Sequence, residues 1–189
     1  QLCSWSNTEF HRHETWFQNR KNNRCIRECH GDLHLANMAL LEGKITLFDC
    51  LEFNENLRWI DVISEIAFLI MDLDSRMHNA LAWRFLNAYL HFTGDYTGLR
   101  VLRYYLVYRA LVRVKVTCIR LTQTDPTQRH TIWQQYKNYV NLAEHYTQHT
   151  NTPLIITHGL SGSGKTTYTQ SLLESLGAIR LRSDVERKR

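Results

Sequence analysis

The chain has 189 residues, 43% apolar and 22% charged, with a formal charge of +5. This suits one or two small globular domains and excludes a disordered or collagen-like chain. No apolar run approaches the ~18 residues of a membrane helix; the longest, Ile66 to Met71, is core-sized. The start, Gln1-Leu2-Cys3, shows no signal-peptide pattern. Cys3, Cys25, Cys29, Cys50 and Cys118 are odd in number and irregularly spaced, so reduced thiols and a cytoplasmic location are expected.

Taken in chain order, Asn7 to Arg24 reads as a helix with Phe10, Thr15, Trp16 and Phe17 partly inward. Met38 to Leu41 and Ile45 to Phe48 flank Glu42-Gly43-Lys44, a hairpin signal. Asp61 to Leu73 carries the apolar spacing of a buried helix, and His78 to Phe92 repeats it before Thr93-Gly94-Asp95. Tyr96 to Leu121 is a long helix, Thr122 to Thr127 with Pro126 breaks it, and Thr131 to Gln148 is a further helix. In that last helix Ile132, Trp133, Tyr136, Tyr139, Val140, Ala143 and Tyr146 recur at helical spacing. His149 to Thr152, followed by Pro153, is the best domain boundary. It divides the chain into residues 1–150 and 153–189. Leu154 to Thr157 then reads as a buried strand, Thr166 to Leu176 as a helix, and Gly177 to Asp184 as a second short strand.

The strongest motif is Gly159-Leu160-Ser161-Gly162-Ser163-Gly164-Lys165-Thr166, followed by Thr167, which fits G-x-x-x-x-G-K-[ST] between strand and helix signals. Glycines let backbone amides turn around a phosphate at a helix N-terminus. Lys165 would reach the β/γ oxygens of ATP, and the Thr166 hydroxyl would ligate Mg²⁺. These residues are the candidate cofactor-binding set.

A second constellation is His30-Gly31-Asp32-Leu33-His34-Leu35-Ala36-Asn37, with Asp49 twelve residues further on beyond the hairpin. It has the working parts of a kinase-type phosphotransferase. Asp32 would accept the acceptor hydroxyl's proton, and Asn37 and Asp49 would hold Mg²⁺ against ATP. The same stretch offers Cys25, Cys29, His30 and His34 as zinc-like ligands, a reading the loop motif undercuts.

The loop resembles that of the aminoglycoside phosphotransferase and choline kinase-like family, which reads His-Gly-Asp-x-His-x-x-Asn. The resemblance implies that Asp61 braces the catalytic loop; Asp61 also reads as a helix N-cap. Ser183-Asp184-Val185-Glu186-Arg187-Lys188 resembles a segment of AAA_33-type P-loop kinases, which implies Asp184 as a general base and Arg187 as an anion contact. The alternative is Asp184 as an N-cap, with Arg187 and Lys188 on a solvated face. Together the two motifs resemble two-domain bacterial ATP-binding proteins over Cys29–Phe53, Trp59–Asp72, Tyr104–Lys115 and Thr157–Lys188.

The expected fold class is therefore a mostly helical α+β kinase-like C-lobe with a catalytic-loop hairpin, followed by the first β-loop-α-β of an α/β P-loop domain. On this resemblance the chain straddles a domain junction, lacks the first domain's N-lobe and the second's Walker B and lid, and has little catalysis by itself. The expected function is MgATP-dependent transfer to a small-molecule hydroxyl. The alternatives are a regulatory nucleotide-binding ATPase and a nucleic-acid kinase or binder.

Charge bears on these alternatives. Residues 153–189 carry 6 basic and 3 acidic residues, ending Arg187-Lys188-Arg189, a balance that points first to nucleotide phosphates rather than nucleic acid. Tyr96 to Leu121 holds Arg100, Arg103, Arg109, Arg113, Lys115 and Arg120 and no acid. Such a wall suits a neutral or anionic acceptor rather than an aminoglycoside polycation. The alternative is structural pairing of Arg109 and Arg113 with Glu65, Asp72 or Asp74.

Overall fold

A computed structural model describes residues 1–125, 129–148 and 152–188. Pro126, His149 to Asn151 and Arg189, to which the helix break, the domain boundary and the end of the basic tail were assigned, lie outside the described residues.

The first helix, α1, spans Leu2–Asn22. Its inward stripe runs through Trp5, Glu9, His13, Trp16 and Arg20, spaced three and four apart so that they share one face. Glu9 and Arg20 are its buried residues, whereas Phe10 and Thr15 are exposed. The expected inward set is corrected accordingly. The helix packs on one side only, and the two aromatics that do turn inward, Trp16 and Phe17, bring Arg20 with them.

Two small antiparallel sheets follow. β1 (Ile26–Glu28) pairs with β4 (Trp59–Asp61), and β2 (Met38–Leu41) pairs with β3 (Lys44–Leu47). The β2–β3 turn places Glu42 and Gly43 at φ of 50° and 75°. Two left-handed residues match the strand twist, and Gly43 adopts its conformation without a Cβ penalty. A four-residue helix, α2 (Glu55–Arg58), leads into β4 and is capped by the Asn54 side chain, which accepts from Asn56 N.

The core is built on α3 (Val62–Ser75), buried from Ile63 to Leu73. Asp61 caps it, its Oδ1 accepting from Ile63 N at 2.9 Å. α4 (Asn79–Thr93) ends at Gly94 in the left-handed conformation, as the Thr93-Gly94 signal implied. α5 (Leu99–Gln123) starts after a single 3₁₀ turn, Tyr96–Gly98, and α6 (Arg129–Thr147) packs along it. Phe68, Met71, Leu86, Val101, Val107 and Ala110 are all at most 2% exposed and join α3, α4 and α5 in one core, which Tyr139 and Ala143 extend to α6. Burying the larger of these side chains contributes about 1.5–3 kcal/mol each. Trp133, expected on the inner stripe of α6, stays 45% exposed, stacked on Tyr136.

The C-terminal part contains α7 (Lys165–Leu176) and a short α8 (Ser183–Glu186). The strands expected at Leu154 to Thr157 and Gly177 to Asp184 are not formed among the described residues. Leu154 and Ile156 are 87% and 81% exposed. A parallel strand exists only as a member of a sheet, and neither run finds a ladder partner. The second run is held instead by a side chain. Asn87 Nδ2 donates to Ala178 O at 2.9 Å, and Asn87 Oδ1 accepts from Arg180 N at 2.8 Å. Gly177 lets this chain pass over Trp83: its φ is +63°, and a Cβ there would lie 2.7 Å from the indole.

Candidate functional site

The loop after β1 is fixed from below by acids of α3. Glu65 accepts from Gly31 N through both oxygens, at 3.2 and 3.1 Å, and Asp72 Oδ2 accepts from Leu35 N at 3.0 Å. These acids are seven residues apart, two helical turns, so they present to one side. Arg109 of α5 donates to Gly31 O at 3.1 Å and to Ser64 O at 3.0 Å, and stands 4.0 Å from Glu65. Burial pushes the Glu65 carboxyl up, opposed by the Arg109 charge. Burial likewise lowers the Arg109 guanidinium, opposed by the Glu65 charge.

Asp32 sits half-buried above this floor. His34 Nε2 lies 3.3 Å from Asp32 Oδ2, and Asn37 Nδ2 donates to Asp32 Oδ2 at 3.2 Å and to Asp32 O at 3.0 Å. The His34 hydrogen bond, against burial, holds the Asp32 carboxyl below its ordinary value. Asp32 is thus an ionised acceptor at neutral pH. Asn37, 6% exposed, has committed its NH₂ to Asp32, leaving its amide oxygen as the atom available to a ligand.

The hairpin carries the chain back. Phe48 N donates to Asn37 O at 3.1 Å, continuing the β2–β3 register by one pair, so Asp49 follows at the same end as Asn37. His30 Nε2 donates to Phe48 O at 2.8 Å, and Leu51 N donates to His30 O at 3.0 Å, stitching the loop to the segment around Asp49. Asp49 is exposed, with φ of +60°. An amide oxygen and a carboxylate are the hard oxygen donors that a magnesium ion takes, and here the backbone pairing brings Asn37 and Asp49 to neighbouring positions at one end of the hairpin. His30 and His34 are both engaged in the loop's own bonding, and burial pushes the Cys29 thiol up to about 11.

Gly31 is the tightest point. Its φ is +84°, and a Cβ would meet Leu57 O at 2.8 Å. Gly31→Ala is expected to cost about 1–3 kcal/mol through backbone strain, read as a lowered urea midpoint.

Asp61 does not touch this loop through its side chain. It receives Arg20 Nε at 2.6 Å and Arg20 Nη2 at 2.8 Å, besides capping α3. The expected brace is supplied by Glu65, Asp72 and Arg109. Arg20 also donates to Asp95 Oδ1 and Oδ2, each at 2.8 Å, tying α1 to the turn before α5. Three other arginines of α5 are engaged too. Arg100 lies over Trp16 at 4.3 Å, Arg103 over Trp5 at 5.5 Å and Arg113 over Tyr139 at 5.5 Å. Much of the acid-free character of α5 therefore serves packing; of the pairings expected as the structural alternative, Arg109 meets Glu65, whereas Arg113 lies on Tyr139 rather than on an acid.

The second centre surrounds the N-terminus of α7. Gly159, Gly162 and Gly164 have φ of 147°, 77° and 79°, so the glycines stand where the loop turns. α7 begins without a side-chain cap, leaving its first amides and the positive end of its dipole to a ligand. Lys165 Nζ curls back to donate to Gly159 O at 2.8 Å and Leu160 O at 2.6 Å. A cleft of about 460 Å³ opens beside it, lined by Ser161, Gly162, Lys165, Thr166, Ser183 and Asp184 among others. The structure thus brings Asp184 and the lysine of the glycine loop to one cleft, whereas Gly159, Ser163, Gly164 and Thr167 do not line it. Asp184 is in the first turn of α8, not at its N-cap, and accepts from Arg182 Nη2 at 2.9 Å, which holds its carboxyl down. Arg187 Nε donates to Ser183 O at 3.2 Å.

A glycine loop, an open helix N-terminus and a lysine folded back over the loop define a P-loop nucleotide-binding unit. The comparisons with known proteins agree: residues 154–189 match the family described as AAA domain. The chain is similar to the uncharacterized proteins Mb2027c of Mycobacterium bovis and Rv2004c of Mycobacterium tuberculosis, at 34% identity over 181 residues, 93% of this chain. It spans about a third of their length (34%). No solved structure matches. Among the described residues no helix is long and apolar enough to cross a membrane.

Sequence reasoning missed Arg20 and Asn87, and it named Glu65 and Asp72 as partners of arginines on α5 but not as supports of the loop. The two acids had a visible signal, being charges inside the most apolar helix, where a carboxylate must be hydrogen-bonded to be tolerated. Arg20 and Asn87 had none: their partners lie 41 to 93 residues away.

Proposed function

We propose that the protein is an ATP-dependent phosphotransferase acting on a small-molecule hydroxyl, with a kinase-like catalytic loop in residues 1–150 and a P-loop kinase unit in residues 153–189. The observation that carries the reading is the Asp32 carboxylate held by His34 and Asn37, in a loop whose Asn37 pairs through its backbone with Phe48, next to Asp49. In this arrangement Asp32 takes the proton of the acceptor hydroxyl. The acceptor oxygen then bonds to the γ-phosphorus of ATP as the bridging bond to the β-phosphate breaks, releasing ADP. Asn37 and Asp49, with Thr166 at the P-loop, are the residues that would hold Mg²⁺. That ion, when bound, neutralises charge on the transferring phosphates. In the P-loop cleft Lys165 positions phosphate oxygens and Asp184 is the corresponding carboxylate. An acceptor without multiple positive charges is the reading left by Lys115 and Arg120, which stay exposed on α5 while its other basic side chains are taken up in packing.

The test is transfer of label from γ-labelled ATP to a panel of hydroxyl metabolites, including kanamycin, by a polypeptide in which this chain is joined to the N-lobe and lid that the resemblance implies. A labelled, non-aminoglycoside product is expected. Release of inorganic phosphate with no labelled acceptor would instead establish a regulatory ATPase. At the P-loop, Lys165→Ala is expected to weaken ATP binding by about 10–100-fold, the worth of charge-assisted bonds to phosphate, measured by calorimetry.

A further inference from the structure

The segment 178–182 is a wall with two sides. One lines the P-loop cleft; the other closes a smaller cleft of about 200 Å³ against α4, lined by Arg84, Asn87, His91, Gln170, Arg180 and Arg182 among others. Asn87 spends its amide on Ala178 O, Arg180 N and Trp83 O, so it sets the wall's position rather than facing a ligand. Arg84 donates to Glu174 Oε1 and Oε2 at 2.8 and 2.9 Å, locking α4 to α7 at the cleft edge. Arg182 holds Asp184, and the Arg180 guanidinium donates to the neutral Thr169 hydroxyl at 3.4 Å. The cleft is thus lined by three arginines and by no carboxylate among the described residues, with Glu174 and Asp184 bonded to Arg84 and Arg182, in a space smaller than a nucleotide requires.

We propose that this cleft is a second anion site, which takes the phosphate group of a phosphorylated small molecule between Arg84, Arg180 and Arg182. Planar guanidinium forks match the spacing of phosphate oxygens and hold them with paired bonds. Because Arg182 serves both Asp184 and this cleft, an anion here draws on the group that faces the P-loop cleft from the other side. The site goes beyond the phosphotransfer reading and does not depend on it.

Inorganic phosphate is the probe, and residue-resolved protection of arginines from phenylglyoxal, mapped by mass spectrometry on the full chain, is the readout. Chloride at matched ionic strength controls for screening. Phosphate is expected to protect Arg84 and Arg182 in the wild type and equally in Lys165→Ala, whose P-loop is impaired. In Arg180→Gln the phosphate concentration needed should rise by about tenfold, the lower end expected for one charge-assisted bond. Arg84→Gln, with Arg180 and Arg182 as reporters, substitutes if circular dichroism shows Arg180→Gln misfolded. Protection that disappears in Lys165→Ala would assign the anion to the P-loop alone. That result, unchanged protection in both glutamine variants, or no protection at all would overturn the proposal.

Discussion

Asp32→Asn is expected to lower the turnover of phosphoryl transfer by about 10²–10⁴-fold, the usual contribution of a general base, while leaving KM for ATP within a small factor. The substitution keeps the shape of the side chain and an oxygen that can accept from Asn37 Nδ2. It removes only the capacity to take a proton. The wild-type pH profile supplies an independent check. The Asp32 carboxyl is held down by His34, so it remains ionised as pH falls through the ordinary carboxylate range. The acidic limb of kcat/KM should therefore lie below that range and shift upward in His34→Ala. If transfer instead proceeds at the P-loop cleft, Asp32→Asn leaves turnover intact and Asp184→Asn abolishes it. Steady-state kinetics on the two variants separates these outcomes.

The second large effect concerns stability. Arg20→Ala is expected to destabilise the protein by about 3–5 kcal/mol, because it strands two carboxylates that, among the described residues, only this guanidinium neutralises at close range. The side chains of Arg20 and Asp61 are 3% and 1% exposed, so water cannot substitute. Burial would raise the Asp95 carboxyl, yet the Arg20 bonds win and hold it below its usual value. A depressed folded-state value means that this part of the stability is present above the ordinary carboxylate range and is lost as pH falls through the depressed value. Acid titration of the urea midpoint should thus be shallower in Arg20→Ala than in the wild type. Combining Arg20→Met with Asp61→Asn and Asp95→Asn should recover most of the loss. The two asparagine oxygens can still cap Ile63 N and Gly98 N, and no charge remains buried.

The same network shows where reading from sequence stops. The hairpin was legible because Glu42-Gly43 is a local device: two residues with left-handed φ dictate the pairing of their neighbours. α3 was legible because its apolar spacing leaves one arrangement that buries it. The P-loop was legible because phosphate binding by backbone amides demands glycines at fixed offsets before a lysine. The strands at Leu154 and Ala178 were not foreseeable as absent, since the same residues form strands only where a sheet exists to receive them.

Two levels of organisation therefore separate. Local order along the chain sufficed to place the long helices, the β2–β3 turn, the Asp32–Asn37 loop and the glycine loop, because each rests on backbone preferences or spacing within a few residues, but not the four-residue helices α2 and α8. Which groups finally meet was decided only by the packed structure. Arg20 reaches Asp61 and Asp95, Glu65 and Asp72 support the loop from beneath, and Asn87 takes the place of a neighbouring strand. Those contacts span tens of residues, and their energy appears only once packing has removed water from both partners. Even the +5 charge of the chain resolves this way: its excess on α5 is largely turned onto aromatic faces and a buried acid, and near the C-terminus it gathers around two clefts.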